Sequence, residues 1–208
     1  MTVVALIDGP LLPGESGCVA LLGMEEAPDS PARRHATVLA DAICAQAPQT
    51  TILSIPVFRG GLSARVSDLV EALRQAAESD AQIVHCSLGL PRNDPRVEAA
   101  IRALDDRIVV ASAPARGDPV WPAALPSVIS VQGDARCGPG QWSALALPTA
   151  DFGACPHADN RFGIAGASVA AANLTGILAQ ADASSSGAAR HMLIAGAAFH
   201  GRERRLAP

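Results

Sequence analysis

Short runs rich in β-branched residues alternate with amphipathic stretches along most of the chain, and no other feature narrows the possible folds as much. The runs are TVVALID (2–8), TTILSIPVF (50–58), AQIVHCSLG (81–89), DRIVVASA (106–113) and SVISVQG (127–133). They are nearly continuous in apolar residues, as expected of strands covered on both faces. Between them HATVLADAICAQA (35–47), SARVSDLVEALRQAAESD (63–80) and DPRVEAAIRALDD (94–106) repeat apolar residues at three- and four-residue spacing, as at Val66, Leu69, Val70 and Leu73. That spacing predicts helices. The alternation as a whole predicts an α/β fold, a doubly wound and mostly parallel sheet flanked by helices and reached through right-handed crossovers. Such sheets bind ligands beyond the carboxyl ends of their strands, so chemistry is sought there.

A length of 208 residues with 49% hydrophobic and 17% charged residues fits one domain with a sizeable core. We place that domain at 1–182, followed by a C-terminal appendage and tail over 183–208. ASSSGAAR (183–190) reads as linker-like and HGRERRLAP (200–208) as a solvated end. The formal charge of −4, with no lysine and scattered arginines, leaves no footprint for nucleic acid. The N-terminus lacks the basic start and apolar run of a signal peptide, because Asp8 interrupts it early. No apolar window is long enough to span a membrane, and a cytoplasmic protein is expected. Five cysteines, Cys18, Cys44, Cys86, Cys137 and Cys155, form no C-x-x-C pair. Their odd count speaks against a complete disulfide framework and for free thiols. Neither a G-x-G-x-x-G after the first strand nor a phosphate loop occurs, so no nucleotide cofactor is expected. His85, His157, His191 and His200 lack ligand spacing, PHADN (156–160) is too sparse for calcium, and no metal is expected.

Three residues at the predicted strand ends can act together. Asp8 closes the first strand ahead of Gly9 and Pro10, His35 opens a helix after SPARR, and Ser168 opens a late helix after Gly166 in NRFGIAGASVAAANLTGILA (160–179). Taken singly, Asp8 reads as a turn former, His35 as a surface residue and Ser168 as a small packing or capping residue. Taken jointly, they supply a nucleophile, a base and a group that orients the base.

The surrounding motifs resemble those of the subtilisin-like serine peptidases. VVALIDGP is similar to the family's first-strand aspartate motif, with Asp8 at the acid position. RRHATVLADAI resembles the histidine helix at His35 and Thr37, with Ala36 and Asp41 in place of glycines and Val38 in place of a second histidine. HCSLGL is similar to the substrate-binding strand at Ser87, Leu88 and Gly89, and VWPAALPSVISVQG to the block that follows the oxyanion loop. GASVAAANLTGILA resembles the nucleophile helix, with Ser168 as nucleophile and Ala172 in place of a proline. The five blocks occur in family order over about residues 3–180. The resemblance implies a subtilisin-like fold with trimmed loops, a serine endopeptidase with an Asp8, His35, Ser168 triad, and a protein or peptide substrate. It also places Ala115 where the family carries its oxyanion asparagine, in VVASAPARG. The alternative is a weak or inactive member that binds a peptide or partner protein. The short intervals and the immediate start of the first strand are similar to those of the small maturation proteases of quinohemoprotein amine dehydrogenase, which implies removal of a leader peptide from a specific protein.

Overall fold

The structure, a computed structural model, describes residues 2–14, 20–22 and 28–202. Among the described residues, nine strands form one sheet in the order β2-β3-β1-β4-β5-β6-β8-β7-β9. Its centre is built from β1 (Val3–Asp8), β3 (Thr51–Pro56), β4 (Ile83–Cys86), β5 (Ile108–Ser112) and β6 (Ile129–Gly133), all paired in parallel. β2 (Ala20–Leu22) extends one side. On the other side lie β8 (Phe152–Ala154), its antiparallel partner β7 (Trp142–Ala144), and the two-residue β9 (Phe199–His200). The α/β class and the mostly parallel sheet are those expected from the sequence.

Each apolar strand feeds two cores because successive side chains point to opposite faces. Val4 and Leu6 pack with α1 (Pro31–Gln46), α4 (Ala167–Gln180) and α5 (Ser186–Ala195). Ala5 and Ile7 pack with α2 (Val66–Glu78) and α3 (Pro95–Arg102). Residues Val4 to Ile7 are fully buried, which explains why this strand shows no polar alternation.

Helix starts follow local chemistry. Ser30 Oγ accepts from Arg33 N–H at 3.2 Å with Pro31 opening α1, and Asp94 Oδ1 accepts from Arg96 N–H at 2.9 Å with Pro95 opening α3. α1 therefore begins four residues before His35, which lies one turn inside the helix instead of at its start. Within the linker-like stretch, Ser185 Oγ caps α5 through Ala188 N–H at 3.2 Å. The chain then returns to add β9 to the sheet.

The cysteines depart from expectation at one position. Cys44 is disulfide-bonded, while Cys86, Cys137 and Cys155 are free; Cys18 lies outside the described residues. An odd count excludes a fully paired set but not one bridge, and parity alone could not tell these apart. Residues 203–208 of the tail also lie outside the described residues. Among the described residues, no helix is long and apolar enough to cross a membrane, and no group of three His, Cys, Asp or Glu side chains is placed to hold a metal ion.

Candidate active site

Asp8 is the last residue of β1 and is fully buried. Its Oδ1 accepts from Gly9 N–H at 2.8 Å. Gly9 is required by close approach: a Cβ there would lie 2.1 Å from the Ala32 carbonyl oxygen. The first turn of α1 thus rests directly on the strand end, and His35 is carried to the carboxylate. His35 Nδ1 lies 2.9 Å from Asp8 Oδ1 and 3.0 Å from Oδ2. With Nδ1–H donated to the carboxylate, the neutral ring keeps its lone pair on Nε2.

Charge and burial tune this pair. Burial pushes the Asp8 carboxyl above its ordinary range, more than the hydrogen bond and charge of His35 and the Gly9 amide pull it down. For His35, burial works against the imidazolium, but the hydrogen bond and charge of Asp8 outweigh it and hold the ring above its ordinary value. Cys86, beside this pair on β4, is pushed up to about 12 by burial and by the Asp8 charge. It is therefore a protonated thiol at neutral pH and no thiolate nucleophile.

Ser168 is half-buried, the second residue of α4. The polar turn before it is self-tied. Asn160 Oδ1 accepts from Phe162 and Ile164 N–H at 3.1 and 3.0 Å, and Asn160 Nδ2 donates to the Ala158 and Ile164 carbonyls at 3.0 and 2.9 Å. Gly166 then holds φ 114 and ψ −153, a conformation open to glycine, and α4 starts without a side-chain cap. Among the described residues, the amides of Ala167, Ser168 and Val169 have no hydrogen-bond partner, so free N–H groups and the positive end of the helix dipole gather at Ser168.

Two observations set α4 relative to α1. A Cβ on Gly176 would lie 2.5 Å from the Ile43 carbonyl oxygen, so the two helices touch backbone to backbone there. Thr2 Oγ1, just before β1, donates to the carbonyl of Ala179 at 3.2 Å, so α4 ends where β1 begins and runs back from the carboxyl edge, as α1 does. His35 precedes Ile43 by eight residues and Ser168 precedes Gly176 by eight, which puts both about 12 Å nearer the carboxyl edge than that crossing. Among the described residues no hydrogen bond joins Ser168 Oγ to His35, so the Asp8 and His35 side chains are in contact while Ser168 shares their edge.

Ser87, Leu88 and Gly89 follow β4, which ends at Cys86, three residues short of the expected strand. Leu90 closes the segment by exchanging backbone hydrogen bonds with Trp121 at 2.7 and 3.0 Å. Gly89 is exposed and closely approached, since a Cβ would lie 2.8 Å from Val120. Ala115 is exposed in the loop after β5.

His85 lies deeper, fully buried on β4. Its Nδ1 is 2.8 Å from Thr175 Oγ1 on α4 and its Nε2 is 2.6 Å from Ser87 Oγ. Burial first, then the charge of His35, lower this imidazole to about 3. It is neutral at working pH and serves as a rigid bridge between the Ser168 helix and the Ser87 segment. In the sequence, His85 shows no ligand spacing and has no expected role in the site. The signal for this role was its i, i+2 spacing to Ser87, which puts both on one face of a strand.

Neither a protein-family model nor a curated protein sequence matches the chain. Solved structures do. The prenylagaramide maturation protease PagA is 22% identical with a TM-score of 0.63, over 86% of this chain and 74% of that one. A serine-to-alanine mutant of the protease domain of PatA is 21% identical with a TM-score of 0.60, over 86% of this chain and 78% of that one. At this level of identity the likeness is one of architecture, and the chain has the subtilisin-like α/β fold of these protease domains.

Proposed function

We propose that this protein is a serine endopeptidase acting through an acyl-enzyme, with Ser168 as nucleophile, His35 as base and Asp8 as the group that orients it. The observation that carries the reading is the buried Asp8 and His35 pair at 2.9 Å, held at the sheet edge to which α4 brings Ser168. Ser168 Oγ attacks the scissile carbonyl as its proton passes to His35 Nε2. Asp8 stabilises the resulting imidazolium, which then gives that proton to the leaving amine as the C–N bond breaks. Water repeats the sequence on the ester and frees Ser168. The uncapped amides at the start of α4 face the developing oxyanion and offset the lack of a side-chain donor at Ala115. Ser87, Leu88 and Gly89 would hold an extended peptide by main-chain hydrogen bonds.

The neighbours support one substrate class. One of the two is a maturation protease, which supports removal of a leader peptide from a specific protein over general digestion. The crosslinked small subunit of quinohemoprotein amine dehydrogenase is our proposed substrate within that class. Ala115 favours a second reading, a peptide-binding relative with little or no turnover, because loss of an oxyanion donor costs roughly 100- to 1000-fold in kcat.

A fluorophosphonate probe tests the nucleophile. The wild type should be labelled on Ser168 and should cleave peptides, and Ser168→Ala should abolish both while its circular dichroism stays unchanged. Labelling that survives in Ser168→Ala would remove Ser168 from the mechanism. A folded wild type that binds peptide but is neither labelled nor active would select the second reading.

A further inference from the structure

An open cleft of about 740 Å³ lies beside the candidate site, at the carboxyl ends of β5 and β6, with Ala115, Arg116, Gln132, Asp134, Thr149 and Arg202 among its walls. Its charges do not cancel. Asp134 is already satisfied, with Arg136 Nη2 at 2.7 Å and Ser143 Oγ at 2.7 Å. Among the described residues Arg116 and Arg202 make no ion pair, and both are exposed. Arg202 is not a loose end at the backbone, because Gly201 N–H donates to the Ala144 carbonyl at 2.8 Å and Arg136 Nη2 donates to the Gly201 carbonyl at 2.8 Å. Gln132 Oε1 is buried in the same wall without a hydrogen-bond partner.

We infer that this cleft binds an acidic stretch of the peptide substrate, with Arg116 and Arg202 pairing its carboxylates. The inference rests on the peptidase reading for its biological setting, but its chemistry stands on the cleft. An acidic peptide offers what the wall lacks, anionic side chains. Two guanidiniums facing one open volume with their opposite charge spent elsewhere favour a carboxylate-rich ligand and disfavour a basic one. Because the pairs form at an exposed rim, their effect is moderate and falls with salt.

The test separates the cleft from the catalysis. Two fluorescent peptides, identical except for three Glu residues replaced by Lys, are titrated against Ser168→Ala protein. The Glu peptide should bind about tenfold more tightly at low salt, with the difference shrinking near 0.5 M NaCl. Adding Arg116→Glu and Arg202→Glu should abolish or invert the preference, and the milder Arg116→Gln with Arg202→Gln should abolish it if the reversed variant folds poorly. Equal binding of the two peptides, or a preference untouched by both pairs of substitutions, overturns the inference. Failure of the wild type to react with fluorophosphonate bears on the peptidase reading alone, since the binding arm contains no Ser168 chemistry.

Discussion

Two buried histidines at the sheet edge respond to pH in opposite directions, and the difference is measurable. His35 is held above its ordinary value by Asp8, so its stabilising contribution is fully present below the unfolded value near 6.5 and is lost as pH rises through the higher folded value. His85, lowered to about 3, stays neutral in the fold while the unfolded chain takes up a proton below about 6.5. Its effect is therefore loss of stability as pH falls from about 6.5 toward 3, at up to roughly 1.4 kcal/mol per unit. His85→Asn can keep hydrogen bonds to Thr175 and Ser87 but cannot titrate. Urea denaturation at pH 7 and pH 5 should show the wild type losing about 1 to 2 kcal/mol more than His85→Asn over that interval. His35 and the carboxylates are common to both proteins and cancel in the comparison. Equal losses would mean that His85 is not the neutral bridge described above.

At the scale of elements, the contact between α1 and α4 decides whether three distant residues can share one edge. The sequence made both helices legible, through the apolar spacing of 35–47 and the alanine run after Ser168, and the five central strands stood out by their apolar runs. It also suggested Asp8, His35 and Ser168, because strand ends and helix starts are where such a fold gathers chemistry. The distances between them were not legible, since they depend on Gly9 and Gly176, two glycines whose role is set by partners far along the chain. Gly176→Ala tests this. The added methyl meets the Ile43 carbonyl and Gln46 Cβ, 2.5 and 2.7 Å away, so the helices must separate. We expect a loss of about 1 to 3 kcal/mol in stability, and slower fluorophosphonate labelling than in Ala179→Gly, which lies on the same helix without that contact. Equal labelling rates would detach the helix crossing from the geometry of the site.

Across the whole molecule, the sheet divides into a centre of long parallel strands and an edge of strands two or three residues long. β7, β8 and β9 escaped the sequence reading for a physical reason: strands of two or three residues carry no period, and β9 is fixed by partners more than fifty residues away; the ten-residue α5 was hidden by the Ser- and Gly-rich ASSSGAAR at its start, which reads as linker. One such partner is Arg136, which pairs with Asp134, donates to the Gly201 carbonyl and lies 5.2 Å over the Phe199 ring. Hydrogen exchange should therefore find two tiers. Amides of β1, β4 and β5 should exchange slowly and in step with global unfolding, while those of 199–201 exchange faster and with little dependence on low guanidinium, as local openings do. Arg136→Ala removes the fastener and leaves Asp134, only 6% exposed, with less compensation, at a cost of about 1 to 3 kcal/mol. The variant should lose protection at 199–201, and its preference for the Glu peptide should weaken although Arg116 and Arg202 are intact, because Arg202 loses its anchor. If 199–201 exchange in step with β1 in the wild type, edge and centre unfold as one unit. The cleft would then owe its shape to the whole sheet and not to one arginine.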